Sequence, residues 1–256
     1  MDVFAILRYR WLLQVLITRD LKVKYRRSFL GYIWSILNPL MLMVVLTIVF
    51  SSMFRFDIPN YPVYLLAGQL IFSFYSEATN MAMGSILGNA SLIKKIYLPK
   101  YIFPVSRVLS SFTTMTFSLV ALFIVMIATK ASLHITIVLL PVVLLYVLIF
   151  TLGISMVLSV LVVYFRDIRY LYGVFLTALM YLTPIFYPVS ILPQWLKDIL
   201  FLNPLYDFVD MFRKVVLYGV WPLYTEHLLC LGIAAGTLIV GLLVFKRYQR
   251  NFILYI

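Results

Sequence analysis

A dense group of basic residues runs directly into a long apolar segment near the start of the chain. The stretch is RDLKVKYRRSFLGYIWSILNPL, residues Arg19–Leu40, and its first nine residues contain five Lys or Arg. No further charge follows until Arg55. Positive charge that ends at a membrane-length apolar run marks the cytoplasmic headgroup level of a bilayer. We therefore predict a membrane protein with a cytoplasmic N-terminus, whose chain bends at Leu30-Gly31, where glycine permits unusual backbone angles.

The overall composition requires most of this chain to lie in a membrane. Of its 256 residues, 64% are hydrophobic and only 12% are charged, far from the average of soluble domains. The core of a soluble domain of this length cannot enclose so much apolar surface. The single cysteine, Cys230, excludes a disulfide within the chain and a cysteine-based metal site.

The basic residues fall mainly on one side of the predicted membrane. Sixteen of the 21 Lys and Arg lie in segments that we assign to the cytoplasm, and the other five lie opposite, together with five acidic residues. This asymmetry is what the positive-inside rule requires. The net charge of +12 therefore reports membrane topology, and we expect no nucleic-acid partner.

Six segments each approach the ~20 apolar residues that a bilayer-spanning helix needs. They are about Tyr32–Phe54, Val63–Leu87, Tyr101–Thr129, Ile135–Phe165, Tyr170–Tyr187 and Leu228–Phe245. An even number of spans returns the C-terminus to the cytoplasm, in agreement with its basic residues. We predict one all-α membrane domain, which consists of a cytoplasmic interfacial helix and loop (1–31), spans one to four (32–165), span five (166–188), re-entrant outer helices (189–221), and span six with a cytoplasmic tail (222–256).

The cytoplasmic loop Gly88–Lys100 carries a short amphipathic pattern. Asn89 or Ser91 can cap a helix that Pro99 ends. The helix is too short to span, so its apolar face needs a cover, which is lipid, the protein's own bundle or a cytoplasmic partner. We favour the partner. The apolar face and the lysines beside it are Leu92, Ile93, Ile96 and Tyr97, with Lys94 and Lys95.

The segment Pro188–Trp221 is rich in apolar residues although it lies outside the spans. Three prolines divide it into pieces too short to cross a bilayer. One or two re-entrant or surface-lying helices fit this pattern, either as a lid over an exit or as a cap without a gating role. Charged residues at spacings of three and four predict ion pairs along one helix face; they are Asp207, Asp210, Arg213 and Lys214.

Glu77 is the only acidic residue deep within a predicted span. A carboxylate at that depth is a candidate functional group, because burying its charge in lipid is costly. Protonation, or hydrogen bonds from nearby polar residues such as Ser73 and Asn80, would satisfy it equally well in a structural role. The functional interpretation places Glu77 on a pathway through the membrane.

Aromatic residues are abundant, with 20 Phe, 19 Tyr and 4 Trp. Many belong to the belts at the two membrane surfaces. A pathway lined by flat rings suits the apolar faces of sugars, whereas contact with lipid is the alternative for each single ring. Those on or near spans beside small polar residues are Trp34, Phe72, Phe74, Tyr75, Tyr181, Phe186 and Tyr187.

The sequence contains no motif for catalysis. It has no G-x-x-x-x-G-K-[ST] phosphate loop, so it does not hydrolyse ATP in that manner. Both histidines, His134 and His227, lie at outer ends of spans, and no carboxylate pair, nucleophile–base pair or metal-ligand spacing appears on the cytoplasmic side. We therefore predict no catalytic residue, no metal site and no cofactor in this chain.

Four sequence motifs, taken in order, resemble those of one permease family. They are RDLKVKYRRSFLG (Arg19–Gly31) followed by Trp34 and Pro39-Leu40, LIKKIYLP (Leu92–Pro99), FRDI (Phe165–Ile168) and NPL (Asn203–Leu205). The family is the ABC-2-type permeases of cell-surface polysaccharide exporters, which handle O-antigen, teichoic acid and related wall polymers. The resemblance extends from about Arg8 to Lys246.

This resemblance implies a homodimer in the bacterial plasma membrane, paired with two copies of a separate cytoplasmic subunit that binds ATP and Mg²⁺. Residues Leu92–Leu98 would be the coupling helix that docks on this subunit, with Arg19 and Asp20 of the N-terminal helix beside it. The substrate would be a polyprenyl-diphosphate-linked glycan that enters beside the Leu30-Gly31 loop.

The resemblance also implies roles for three further groups of residues. Those at the substrate entrance are Tyr25, Arg26, Arg27, Leu30 and Gly31, with the two arginines as phosphate contacts. Those that line the channel are Trp34, Phe72, Phe74, Tyr75, Glu77 and Tyr181. Those in the outer gate are Phe186, Tyr187, Trp195, Phe201 and Asn203.

Three alternative functions were weighed against the polysaccharide exporter. The first is an ABC-2 permease for a drug or a simple lipid, which the aromatic content and the wall-polymer motifs oppose. The second is a polytopic enzyme acting on polyprenyl-linked sugars, which would need clustered carboxylates or a histidine at a membrane face. The third is a structural scaffold, which would need neither Glu77 nor the outer segment.

Overall fold

The computed structural model describes residues 9–26, 28–54, 58–96, 98–200 and 202–256, except for the side chains of residues 51–54. Within these ranges the regular elements are helices and no β-strand occurs. The prediction of an all-helical chain is confirmed for them. Three residues with predicted roles, Arg27 at the entrance, Tyr97 in the coupling helix and Phe201 in the outer gate, lie outside the described residues.

The described residues form ten α-helices joined by short turns. The helices are α1 (Arg10–Lys24), α2 (Trp34–Phe54), α3 (Tyr61–Met83), α4 (Ala90–Lys95), α5 (Ile102–Ala128), α6 (Leu140–Tyr164), α7 (Ile168–Leu182), α8 (Gln194–Leu200), α9 (Pro204–Arg213) and α10 (Tyr224–Tyr248). The 3₁₀ turns are Gly31–Ile33, Leu87–Asn89, Ile135–Leu139, Val189–Ile191 and Gln249–Leu254, and the π-helical turn Lys214–Tyr218 extends α9.

Four helical stretches are long and apolar enough to cross a membrane. They coincide with the predicted first, third, fourth and sixth spans. A chain with several such stretches is a multi-pass membrane protein. The stretches are Gly31–Phe50, Ile102–Ala128, Ile135–Tyr164 and Tyr224–Leu254.

The helices at the predicted second and fifth spans differ from the other four. α3 has 23 residues, but side chains such as Gln69 and Glu77 make it too polar to count among the apolar stretches. α7 has 15 residues and is therefore about 22 Å long, shorter than the ~30 Å hydrocarbon core. It ends at Leu182, earlier than predicted, because Thr183 precedes Pro184 and is extended.

α3 is the central helix of the bundle. It packs against α2, α5, α6 and α9, and nearly every residue from Val63 to Tyr75 is buried. Its apolar side chains belong to one hydrophobic core that also includes Val108, Phe150 and Phe208. Because protein surrounds most of α3, this helix can carry polar residues that a lipid-exposed helix could not.

α6 and α10 approach each other so closely that only glycine fits at their crossing. A Cβ added to Gly153 would lie 2.4 Å from the carbonyl carbon of Thr237, and one added to Gly241 would lie 2.3 Å from the carbonyl oxygen of Gly153. Small residues allow helix backbones to touch in this way inside membranes.

A second hydrophobic cluster lies at the predicted cytoplasmic end of the bundle. α1 contributes Leu13 and Leu16, α4 contributes Ile93, and the C-terminal turn contributes the fully buried Phe252. The prediction left the apolar face of α4 for a partner to cover. In the structure Ile93 is buried and belongs to a cluster that also contains residues of α1 and of the C-terminal turn, so the chain's own residues cover part of that face.

Candidate functional site

The N-terminal helix α1 is fixed to the bundle by a buried carboxylate. Asp20 is 5% exposed, and its Oδ1 accepts contacts from Arg107 of α5 at 2.9 Å and from Arg19 at 3.2 Å. Arg19 also donates to Oδ1 of Asn89, the residue before α4, at 3.3 Å. Arg19 and Asp20 therefore lie where α1, α5 and the start of α4 meet.

The chain turns between α1 and α2 at a glycine. Gly31 has a φ of +49°, in the left-handed region, and a Cβ there would meet nothing within 4 Å. The requirement for glycine is therefore conformational rather than steric. The first turn of α2 is held beside α5, because Ser118 donates from its Oγ to the carbonyl of Ser35 at 2.8 Å.

A cavity of about 410 Å³ lies behind this turn, between the end of α1 and helices α2, α3 and α5. We name it the inner cavity. Its rim on the α1 side is formed by Lys24, Tyr25 and Ser28. Its walls combine aromatic rings with polar groups, among them Trp34, Phe74, Asn38, Gln69, Glu77 and Thr114. The combination offers both flat apolar surfaces and hydrogen-bonding groups to a ligand.

Glu77 in the wall of the inner cavity forms an ion pair with a lysine from the end of α1. The Nζ of Lys24 lies 2.7 and 2.8 Å from the two carboxylate oxygens of Glu77. Ser111 of α5 donates to the same carboxylate at 3.3 Å. The side chains of Lys24 and Glu77 are 35% and 34% exposed. Glu77 thus has both a charged partner distant in sequence and a place in a cavity wall.

A second cavity, of about 290 Å³, continues the inner cavity along α3. We name it the middle cavity. It extends as far as Phe72 and Phe186. Because the two cavities share wall residues, they form one groove along α3 from Lys24 to Phe186, which we name the α3 groove. The shared residues are Leu42, Gln69, Ser73 and Glu77.

Gln69 lies where the two cavities meet. It is 8% exposed, and its Oε1 has no hydrogen-bond partner among the described residues. An unpaired buried amide is costly unless water or a ligand satisfies it. Gln69 lies in the walls of both cavities, but its Oε1 is itself buried and does not face the open space of the groove.

The residues that follow α7, Thr183–Tyr187, are held to the bundle through their backbone, and we name them the outer strap. Tyr61 donates to the carbonyl of Phe186 at 2.7 Å, and Tyr64 donates to the carbonyl of Tyr187 at 2.8 Å. Because Phe186 lines the middle cavity, the outer strap closes that end of the α3 groove.

Arg213 at the end of α9 fastens the outer strap to α3. It is 3% exposed, and its guanidinium donates to the carbonyl oxygens of Tyr64, Pro184 and Ile185 over 2.8 to 3.3 Å. The guanidinium carbon lies 3.4 Å from the centroid of the Tyr64 ring, a cation–π contact. A Cβ on Gly68 would lie 2.7 Å from Nη2 of Arg213, so this glycine makes room for the guanidinium.

The predicted ion pairs along α9 form only in part. Lys214 contacts Asp210 at 2.9 Å and also pairs with Glu226 of α10, whereas Arg213 turns into the core. Burial alone would lower the pKa of Lys214, but its hydrogen bonds to Glu226 and Asp210 raise that pKa. Burial, followed by the carboxylates of Asp210 and Glu226, raises the pKa of Asp207 from 3.8 to about 6.

α4 presents a small basic surface to its surroundings. Ile93 is buried in the second hydrophobic cluster and Leu92 is half-buried against it. Lys94 and Lys95 are exposed, and Ile96 is 53% exposed. The exposed residues here are therefore Ser91, Lys94 and Lys95 of α4 and Ile96, which follows the helix.

Several residues predicted for the entrance, the channel and the gate meet in the α3 groove. The inner cavity contains Tyr25 from the predicted entrance and Trp34, Phe74 and Glu77 from the predicted channel. The middle cavity contains Phe72 from the channel and Phe186 from the gate. Leu30 and Gly31 form the turn beside the inner cavity.

The other predicted residues lie elsewhere. Tyr75 is buried in the core, stacked on Phe150 with ring centroids 5.7 Å apart. Tyr181 and Trp195 are exposed. Arg26 is exposed on the face of α1 that also presents Trp11 and Lys22, away from the inner cavity.

Two predicted gate residues bind the backbone around the outer strap. Asn203 caps α9 by accepting from the amide of Leu205 at 3.1 Å, and it donates to the hydroxyl of Thr183 at 2.9 Å. The hydroxyl of Tyr187 donates to the carbonyl of Tyr181. α9 and the end of α7 are therefore both linked to the outer strap.

Sequence reasoning missed Lys24, Gln69 and Arg213 as parts of this site. Gln69 carried a signal, since it is a polar residue within an apolar stretch, as Glu77 is. Lys24 belonged to the basic patch, but its pairing with Glu77 depends on how α1 is rotated. Arg213 gave no signal, because its partners are backbone carbonyls from two distant segments.

Comparison with known proteins gives one consistent result. The family model described as ABC-2 type transporter matches residues 12–217. The O-antigen export system permease protein RfbA of Klebsiella pneumoniae is 31% identical over 244 residues, 94% of this chain and 93% of the relative. RfbA of Myxococcus xanthus is 31% identical over 210 residues, 81% of each chain. The polysialic acid transport protein KpsM of Escherichia coli is 26% identical over 248 residues, 93% of each chain. The resemblance inferred from the motifs is confirmed.

Proposed function

The chain belongs to the ABC-2 type transporter family, and on that premise we propose that it is the membrane permease subunit of an ATP-driven exporter of lipid-linked polysaccharide. The names of these relatives refer to the export of O-antigen and to the transport of polysialic acid. O-antigen and polysialic acid are both glycans. These relatives cover more than nine-tenths of the chain, so the analogy applies to the whole domain.

The α3 groove is the structural observation that carries this proposal. It combines rings such as Trp34 of α2 and Phe74 of α3 with amide, hydroxyl and carboxylate groups along α3. Sugar rings have apolar faces that pack on aromatic rings and hydroxyl groups that need hydrogen-bond partners. A simple lipid would not need the amide, hydroxyl and carboxylate side chains that line the groove.

We propose six membrane spans formed by α2, α3, α5, α6, α7 and α10, with both termini in the cytoplasm. The excess of Lys and Arg on one side supports this orientation. α7 alone is too short to span, and the outer strap that follows it would complete the fifth crossing. The protein around α3 allows that helix to span despite its polar residues.

The energy for export would come from a separate subunit that binds ATP and Mg²⁺. We propose that two copies of this subunit dock on a homodimer of the permease, through a surface that includes Lys94, Lys95 and Ile96 of α4. The contact of Arg19 with Asn89 supports this role, because it links α1 directly to the start of α4. Movement of α4 would therefore reach α1 and the rim of the inner cavity.

The substrate proposed for this permease is a polyprenyl-diphosphate-linked glycan such as O-antigen, teichoic acid or a similar wall polymer. It would enter beside Tyr25 and the Gly31 turn, pass along the α3 groove and leave past the outer strap. The order of these features along α3 supports the direction of the path.

Purification and depletion test the transporter class. Affinity purification of the tagged protein in mild detergent is expected to recover, in stoichiometric amount, a subunit with a phosphate-loop ATPase domain. Depletion of the permease is expected to make lipid-linked glycan accumulate on the cytoplasmic side. Unchanged surface glycan after depletion would exclude polysaccharide export.

A pair of tryptophan substitutions tests the path itself. Ser73 lies in the walls of both cavities, so Ser73→Trp is expected to block the α3 groove and reduce export more than tenfold. Ile239 is exposed on α10 and serves as the matched control, because Ile239→Trp adds the same ring away from the groove. Both variants must still co-purify with the ATPase subunit. Normal export by Ser73→Trp would rule out this path.

A further inference from the structure

Among the described basic residues of the N-terminal patch, Lys24 lines the inner cavity. Its side chain forms the rim together with Tyr25 and Ser28. Arg26, to which the resemblance assigned phosphate binding, does not line the inner cavity and borders the exposed surface of α1 together with Lys22 and Val23. A ligand that reaches the inner cavity from the headgroup level of the membrane therefore meets Lys24 and not Arg26.

The charge of Lys24 is already neutralised by Glu77. The Nζ contacts both carboxylate oxygens, and Glu77 is the only acidic side chain among the described residues that line the inner cavity. Each side chain is about one-third exposed, and partly exposed ion pairs contribute little net stability because water competes for both charges. The pair is thus easily replaced by a ligand of higher negative charge.

The surroundings of Lys24 suit a phosphate-bearing anion. A diphosphate carries more negative charge than one carboxylate and offers several acceptor oxygens, which makes its hydrogen bonds to an ammonium group strong. Ser28 lies at the same rim and Ser111 already donates to Glu77, so hydroxyl donors are within the site. The ring of Tyr25 lies 5.7 Å from Nζ and limits where the ammonium group can move.

Taking the proposed export function as the premise, we propose that Lys24 binds the phosphate-bearing headgroup of the lipid-linked substrate, and that Glu77 occupies this site until the headgroup displaces it. No covalent step is involved, since one anion replaces another at the ammonium group. The released carboxylate stays in the cavity wall, where Ser111 continues to donate to it.

Displacement of Glu77 would also release the end of α1. The buried contact of Asp20 with Arg107 holds α1 one turn before Lys24, and the Lys24–Glu77 pair ties the residues after that anchor to α3. Arrival of the headgroup therefore breaks the contact that closes the rim of the inner cavity. Replacement of Glu77 by the headgroup at Lys24 therefore both binds the substrate and opens the rim of the cavity to it.

Binding of farnesyl diphosphate to the permease in phosphatidylcholine nanodiscs tests this proposal. Glu77→Gln removes the competing charge and is expected to tighten binding about three- to fivefold, in keeping with the small net strength of an exposed pair. Lys24→Gln is expected to weaken binding at least fivefold, and the double variant should resemble Lys24→Gln. Arg10→Gln, with the same loss of charge on the same helix, is the control and should leave binding unchanged. Thermal melting of each variant identifies any that is misfolded.

Several results would overturn the proposal. If the ion pair had only a structural role, Glu77→Gln and Lys24→Gln would change the affinity for farnesyl diphosphate in the same direction or not at all. A larger loss of affinity from Arg26→Gln than from Lys24→Gln would show that the headgroup binds at Arg26 and not in the inner cavity. Equal affinity for inorganic pyrophosphate would exclude a lipid headgroup as the ligand, and loss of the Glu77→Gln effect on adding phosphatidylglycerol would assign the site to bulk lipid. No binding of farnesyl diphosphate by the wild type would reject this site, whereas the depletion experiment decides separately whether the protein exports polysaccharide.

Discussion

The crossing of α6 and α10 allows a sharp test, because two glycines of α10 differ only in what surrounds them. A Cβ on Gly241 would lie 2.3 Å from the carbonyl oxygen of Gly153, whereas one on Gly236 would meet nothing within 4 Å. The atom in the way belongs to a backbone, so no side chain can rotate to relieve the clash. Gly241→Ala therefore requires the two helices to separate.

The expected free-energy changes have opposite signs for the two substitutions. Forced overpacking costs about 1–3 kcal/mol, while Gly→Ala in a helix with free space stabilises by about 0.5–1 kcal/mol. The difference between Gly241→Ala and Gly236→Ala is therefore about 2–4 kcal/mol. At about 2–4 °C per kcal/mol for a chain of this size, the unfolding midpoints should differ by roughly 5–15 °C.

Thermal unfolding of the purified protein in detergent, followed by tryptophan fluorescence, measures this difference. Gly153→Ala should behave like Gly241→Ala, since its Cβ would lie 2.4 Å from the backbone of Thr237. The double variant should lose less stability than the sum of the losses of the two single variants, because helices already separated by one methyl group accommodate the second more easily. Equal midpoints for Gly241→Ala and Gly236→Ala would show that the backbones do not touch.

Three further predictions concern the ends of the bundle. Ile96→Asp should keep the permease folded but reduce substrate-stimulated ATP hydrolysis in the assembled complex. Ile93→Asp should instead lower the melting temperature, because that side chain is buried. The reverse pattern would contradict the assignment of Ile96 to the docking surface and of Ile93 to the core. Arg213→Met leaves carbonyl oxygens of the outer strap unpaired and should destabilise the protein by about 2–4 kcal/mol. Lys197→Met, at a half-buried position on α8, should change stability little in the same melting assay. Because the folded protein raises the pKa of Asp207 from 3.8 to about 6, Asp207 contributes stability that is fully present below about pH 4 and is lost as the pH rises through about 6. Asp207→Asn should remove that dependence from the melting curve, and an unchanged slope would exclude Asp207 as its source.

The positions of most long helices could be predicted from the sequence for a simple reason. Inside a bilayer the backbone must satisfy its own hydrogen bonds, so an apolar run of sufficient length becomes a helix. The limits predicted for the helices α2, α5 and α6 differ from the structure by only a few residues. α7 ends earlier than predicted. Pro184, which lies within the predicted range, was a signal for this earlier end.

The directions of individual side chains could not be predicted in the same way. Lys24 is the last residue of α1, whereas Arg26 lies in the turn that follows the helix. Which of them faces the inner cavity depends on the rotation of α1, which the contact of Asp20 with Arg107 fixes. That contact joins residues far apart in the chain, and no local pattern indicates it.

The burial of α4 likewise depends on residues distant in the chain, which a local sequence pattern does not identify. The apolar face of α4 was recognised, but Ile93 belongs to a buried cluster that also contains residues of α1 and of the last turn of the chain. A short amphipathic pattern reveals that a cover exists and does not reveal its source.

The polar residues of α3 have a consequence for how the chain is made. During synthesis α3 leaves the ribosome before α5 and α6, the helices that later surround it. Glu77 makes α3 a poor candidate for independent insertion by the translocon, since a charged group at a helix centre costs about 2.5–3.5 kcal/mol on insertion scales, and the polar but neutral Gln69 adds to this cost. Glycosylation mapping of truncated chains should therefore find α3 incompletely inserted when the chain stops at residue 95 and fully inserted when it continues beyond α6. The central helix of the finished bundle would then be among the last to reach its place in the membrane.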